Sequence, residues 1–167
     1  MARYKIKQKY FALNDTFDIT DESGYARYQC ESKLITVPKK FWLQNSNGKP
    51  LYYVRRKMIH WLGYPVFNIY KGEDKSGGLV AKVKVKYAFV GRKLKVYSDV
   101  YGDFYIRGYH GWTFNIHAND KHGDICATME KHIFKVADTY DINVVQGKDS
   151  FMLTLCIILD YLYHKKH

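Results

Sequence analysis

The chain has 167 residues, 47% hydrophobic and 17% aromatic, which supports one packed core and excludes a disordered segment or a metal-stapled mini-domain. Its formal net charge of +11 exceeds what solubility requires and points to a polyanionic neighbour, either nucleic acid or an anionic membrane. Cys30, Cys126 and Cys156 are too scattered for a disulfide framework or a thiolate metal knuckle, and they read as reduced core residues of a cytoplasmic protein.

The opening stretch, MARYKIKQKYFALNDTFDIT, is basic but lacks the apolar run of a signal peptide, so secretion is not expected. From Phe17 onward the sequence repeats: a short alternating strand, a polar turn and a returning strand. The leading strands and turns are FDITDESG, FWLQNSNG, FNIYKGEDKSGG, LKVYSDVYG, FNIHANDKHG and a degenerate YDINVVQG. Large apolar residues fall two apart, as at Phe17 and Ile19 or Phe114 and Ile116, which places them on one face of a sheet. The returning segments include YARYQC, PLYYVRR, LVAKVKVKY, DFYIRG and DICATMEK. Gly24, Gly48, Gly78, Gly102 and Gly123 sit where tight antiparallel connections favour positive φ. Six units of two strands predict about twelve strands, arranged as a sandwich or a closed barrel.

The C-terminal segment decides between these. Phe151 to Leu159 is uninterrupted apolar sequence, followed by Asp160 and then Tyr161, Leu162 and Tyr163. As a helix, the 13 residues from Phe151 to Tyr163 reach roughly 20 Å, short of the roughly 30 Å hydrocarbon layer of a bilayer. A helix apolar on every side has to be surrounded on every side, which a barrel achieves and a sandwich does not. The expected fold is therefore an all-β closed antiparallel barrel enclosing a hydrophobic C-terminal helix at about 149–163, in one domain spanning 1–167. Phe151, Met152, Leu155, Cys156, Ile158, Leu159 and Leu162 form the predicted core of that helix, with Asp149 or Ser150 placed to cap it.

The segments YVRRKMIHW, ATMEKHIFKVADTYDINVV and GKDSFMLTLCIILDYLY resemble the LURP-one-related family, whose relatives include the Tubby C-terminal domain and the phospholipid scramblases. The resemblance covers nearly the whole chain and implies a twelve-stranded barrel around a C-terminal helix. It implies less about activity: family members largely lack an assigned biochemical role, while Tubby relatives bind phosphoinositide membranes and have been proposed to act with DNA. Scramblase relatives are associated with lipid movement and calcium. The chain shows neither their Pro-rich leader nor their cysteine-rich segment, so lipid translocation is not expected.

Function is then sought in the cations. Arg55, Arg56 and Lys57 form one cluster, Lys82, Lys84 and Lys86 a strict period-two ridge, and Arg92, Lys93 and Lys95 a third group. Against anionic lipid, each cation contributes about 1 kcal/mol, so four or five give salt-sensitive attachment of micromolar scale or weaker. Trp61, Tyr64 and Tyr87 flank these clusters as candidate interfacial anchors or nucleobase platforms. The leading expectation is a non-enzymatic phospholipid- or phosphoinositide-binding monomer, cytoplasmic and peripheral at the inner membrane face. The alternatives are nucleic-acid binding through the same ridges and a protein-interaction scaffold.

Neither a cofactor motif nor an enzyme signature is present. His60, His110, His117, His122 and His132 are scattered, and the cluster of His117, Asp120, His122 and Asp124 reads as a polar turn rather than a cation site. Asp160, alone among apolar neighbours, needs hydrogen-bond donors if it lies inside the barrel.

Overall fold

The computed structural model describes residues 1–7, 15–33, 38–57, 65–86, 92–109, 112–132 and 139–163. Twelve strands run in chain order as β1 (Ala2–Lys7), β2 (Asp15–Asp21), β3 (Ala26–Lys33), β4 (Lys40–Asn45), β5 (Pro50–Lys57) and β6 (Val66–Lys71). They continue as β7 (Leu79–Lys86), β8 (Arg92–Tyr97), β9 (Phe104–Gly108), β10 (Thr113–Ala118), β11 (Ile125–His132) and β12 (Thr139–Val144), followed by helix α1 (Asp149–Tyr163). Each strand pairs antiparallel with its chain neighbours, and β1 pairs with β12 from Ala2 opposite Val144 to Lys7 opposite Thr139. That last pairing closes the barrel, as the C-terminal segment, apolar on every side, predicts.

The strand count agrees with the expectation, but one strand has a different origin. The leading strands of the six repeats are the even-numbered strands, but the sixth returns as α1 instead of a strand. A segment apolar at every position cannot form a wall strand with one wet face. The missing strand comes from the N-terminus, where β1 buries Tyr4 and Ile6 and exposes Arg3 and Lys5.

The second apolar position of every repeat points inward. Ile19, Leu43, Ile69, Val96, Ile116 and Ile142 are all fully buried, one from each even strand, in the same core cluster as α1. Residues Ser150 to Leu159 of the helix are buried around its whole circumference. Phe151 anchors the entry end against Tyr101, Phe104 and Tyr52, with ring centroids 4.5, 5.8 and 6.0 Å away. At the exit end Tyr161 meets Phe67 edge-on at 5.6 Å and Tyr163 stacks on Phe114 at 5.5 Å. Among the described residues no helix is long and apolar enough to cross a membrane.

The helix start is held by other groups than expected. The Lys148 carbonyl accepts from the Phe151 and Met152 amides at 2.9 and 3.0 Å, while the Asp149 carboxylate accepts the Tyr4 hydroxyl at 2.5 Å. Asp149 thus ties the helix to β1. The Ser150 carbonyl accepts the Thr154 hydroxyl one turn on.

Gly24, Gly48, Gly78 and Gly102 adopt the positive φ that their hairpins need. Gly123 does not. There Asn119 takes the left-handed position at φ 62, and Gly123 is required because a Cβ would lie 1.7 Å from the Ala118 carbonyl oxygen.

Candidate functional site

Strand alternation sorts the predicted cations into two populations. On β7, Lys82, Lys84 and Lys86 are exposed between buried or half-buried Ala81, Val83 and Val85. On β8, Lys93 and Lys95 share the outer side with Tyr97, opposite buried Leu94 and Val96. Arg55 and Lys57 occupy the outer positions of β5, flanking the inner level of Val54 and Phe67.

Register joins these strands into one surface. Lys84 stands directly opposite Lys95, and Lys86 opposite Lys93, which in turn faces Arg107 of β9. Lys40 of β4 is opposite Arg55. The outer strand positions of β4 to β9 carry these cations and not one carboxylate, whereas Asp18, Glu31, Glu130 and Asp141 all lie on β2, β3, β11 and β12. Like charges directly across a ladder disfavour the pairing, so the wall keeps its cations against a local electrostatic cost.

Tyrosines interleave with the charges. The Lys84 ammonium lies 5.2 Å from the centroid of the exposed Tyr97 ring, and the Arg107 guanidinium 5.2 Å from that of Tyr109. Beside them, Trp42, Tyr53 and Tyr70 form a cross-strand row with centroids 5.3 and 6.0 Å apart and planes tilted by 31° and 29°. The ring faces of that row are turned on one another. Trp42 also carries the Lys33 and Lys40 ammonium groups at 5.5 and 5.6 Å, and its indole N–H donates to the Glu73 carbonyl at 2.7 Å.

Arg56 and Arg92 depart from the expected ridge. Arg56 is level with buried Phe67, and Arg92 continues the inner series of Leu94 and Val96. The Arg92 guanidinium stacks 4.0 Å from Trp112, 5.0 Å from Tyr163 and 5.7 Å from Phe114, and its Nη1 is buried without a hydrogen-bond partner among the described residues. Gly108 makes room for this stack, since a Cβ there would lie 2.8 Å from the Phe114 ring. Trp112 itself holds a φ of 63°, a strained conformation for a bulky residue.

A third inner cation was missed in the sequence. Lys131 is buried, with its ammonium 4.7 Å from Trp112 and 5.4 Å from Tyr140. The signal was present, because Ala127, Met129 and Lys131 follow the period of two. Arg56, Arg92 and Lys131 lie level with the last turn of α1, which has no basic residue of its own. They place positive charge where the helix carbonyls and the partial negative end of its dipole accumulate. Asp160, also at this level, accepts the Tyr140 hydroxyl. Arg92 and Lys131 therefore pack among the aromatic rings at the helix exit instead of projecting from the outer wall.

The remaining candidates resolve locally. His117 is buried with Nδ1 3.0 Å from the Gly123 carbonyl and Nε2 without a hydrogen-bond partner among the described residues, and the Asp120 carboxylate accepts the His122 amide at 2.7 Å. His132 pairs with Asp141 at 3.0 Å. Among the described residues no group of three His, Cys, Asp or Glu side chains is arranged to hold a metal ion. Cys156 is enclosed in the helix core, where burial pushes its thiol up to about 12. His60, Trp61, Tyr64, Tyr87 and His110 lie outside the described residues. At the helix-entry rim, Met1, Ile125 and Val145 are exposed apolar residues at neighbouring strand ends.

A closed antiparallel barrel threaded by its own C-terminal helix, with cations gathered on one wall, defines the class: a barrel binding module. The sequence matches the LURP-one-related family over residues 2–160, and the chain belongs to that family. Its fold is similar to the crystal structure of a protein from Arabidopsis thaliana, with a TM-score of 0.67, 21% identity, and coverage of 96% of this chain and 91% of that one. No curated relative matches the sequence.

Proposed function

We propose that the protein is a non-enzymatic module that docks on anionic phospholipid, phosphoinositides included, through the outer wall of β5, β7, β8 and β9. The observation that carries this reading is the row structure of the wall: Lys84 opposite Lys95, and Lys86 opposite Lys93, which faces Arg107, without an intervening carboxylate. An anionic surface relieves that repulsion and gains about 1 kcal/mol per cation near the headgroups. Tyr97 and Tyr109 supply the amphipathic rings that favour a membrane interface.

The aromatic geometry favours lipid over single-stranded nucleic acid. A stacking platform needs a free ring face for each base. Trp42, Tyr53 and Tyr70 turn their faces on each other, and Tyr97 and Tyr109 are each approached by a cation.

Vesicle flotation tests the reading. Recovery is expected on phosphatidylcholine vesicles that contain phosphoinositide, not on phosphatidylcholine alone, and is expected to fall steeply when salt shortens the Debye length below about 8 Å. Equal recovery on both vesicle types ends it. A salt-dependent mobility shift with nucleic acid, lost on charge reversal of Lys84 and Lys95 and unaccompanied by flotation, transfers the wall to the alternative partner.

A further inference from the structure

The wall opposite the basic one carries a different feature. In a ring of twelve strands, β1 lies six strands from β7. Here a groove of about 430 Å³ is floored by Asp141 and Asn143 of β12 and flanked by Arg3 and Lys5 on one side and Glu130 on the other, with Glu22 also in its lining. Its origin is legible in side-chain length. The outward residues of β12 are short, Thr139, Asp141 and Asn143, whereas β11 raises Glu130 on one flank and β1 raises Arg3 and Lys5 on the other. Register places Glu130, Asp141 and Lys5 in one row and Asn143 and Arg3 in the next.

The two sides carry opposite charge and yet do not close on each other. Arg3, Lys5, Glu22 and Glu130 are exposed, and among the described residues none of the groove's opposite charges comes within the 4.0 Å of an ion pair. Asp141 is held from outside the groove by His132. A lone anion would be drawn to Arg3 and Lys5 but repelled by the paired carboxylates of Glu130 and Asp141, and a lone cation meets the reverse.

From this arrangement we infer that the groove along β12 binds a small zwitterion, its amine against Glu130 and Asp141 and its phosphate or carboxylate against Arg3 and Lys5. Size agrees with charge. Glu130 and Lys5 flank β12 two strand spacings apart, about 9.5 Å at the backbone, so one small ligand lying over β12 can be reached by both long side chains. An amine joined to a phosphate or carboxylate through a short carbon link is of that size. Such a group occurs both as a free metabolite and as a lipid headgroup.

Isothermal titration of the full chain with O-phosphoethanolamine tests the site, with ethanolamine and inorganic phosphate titrated separately. Saturable binding is expected, with each half-probe at least tenfold weaker. Lys5→Gln and Glu130→Gln are each expected to weaken binding at least tenfold, and both positions are exposed, so folding is spared. The sign for Glu130→Gln is decisive, because removing an acid raises the net positive charge and strengthens any diffuse attraction for phosphate. Tighter binding by that variant, equal binding of phosphate alone, or no saturation by about 10 mM overturns the inference. Flotation with phosphatidylethanolamine vesicles free of anionic lipid assigns the source: recovery indicates the lipid-borne headgroup, and titration with the free probe alone indicates the soluble one.

Discussion

Lys84 and Lys95 stand directly opposite each other on β7 and β8, two ammonium groups on one outer face with no carboxylate between them. Replacing one by an acid creates a complementary cross-strand pair, while removing a charge from the proposed docking wall. Lys95→Glu is therefore expected to leave stability unchanged or slightly raised, and to reduce flotation on phosphoinositide vesicles at least tenfold. Urea unfolding and flotation of the same preparation separate the two effects. A variant that is unaltered in flotation removes this wall from the docking surface.

Arg92 acts on the other side of the same strand. Its guanidinium joins Trp112 of the wall to Tyr163 of the helix, so Arg92→Ala loses cation–π contact and packing together. A loss of about 1–3 kcal/mol is expected from urea unfolding, with vesicle binding unchanged. Arg92→Lys is expected to recover only part of it, since an ammonium lacks the planar face that stacks on both rings.

Gly108 tests the same stack from behind. Adding a Cβ forces it to within 2.8 Å of the Phe114 ring and 3.0 Å of the Arg92 Cβ, so Gly108→Ala is expected to cost about 1–3 kcal/mol through overpacking. Combining it with Arg92→Ala should be less than additive, because that change keeps the Arg92 Cβ but removes the guanidinium packed over the Phe114 ring, which can then yield to the new methyl.

The helix itself is the largest structural commitment. Leu155 is fully buried, and Leu155→Ala is expected to lower stability by about 2–5 kcal/mol. Cys156, in the same enclosed turn, should react with a thiol reagent only after unfolding. Its labelling rate therefore reports release of the helix, and rapid labelling under native conditions contradicts a permanently seated core.

Alkaline pH should unfold the barrel. Burial, reinforced by the hydrogen bond to Asp149, raises Tyr4 above its ordinary 10.0, and burial likewise raises Tyr52 and Cys156 above 10.0 and 9.0. In that range the unfolded chain has released protons that the folded chain still holds, so stability falls as pH rises. The urea midpoint is expected to be level between pH 7 and about 8.5 and to decline progressively above about 9 to 10. A midpoint that rises over that interval reverses the sign of the argument.

Much of this molecule is written in local periodicity. The F-x-I alternation places Phe17 and Ile19, Phe67 and Ile69, and Phe114 and Ile116 on an inner face, because successive strand side chains must point to opposite sides. The unbroken apolar run from Phe151 implies its own enclosure, because no single sheet face covers a helix on every side. The same period of two already separates Arg56, Arg92 and Lys131 from the outer cations. Grouping neighbours such as Arg55, Arg56 and Lys57 into one cluster conceals that parity.

What the tertiary structure alone decided is register and closure. That Lys84 meets Lys95, or Lys93 meets Arg107, depends on how far each strand slides along its neighbour, and one residue of slip would move every side chain to the other face. The groove between Glu130 and Lys5 depends on more, since β12 must pair with both β11 and β1. Strand alternation assigns each of these residues to a side of the sheet, but only closing the first strand against the last brings their charges to one place.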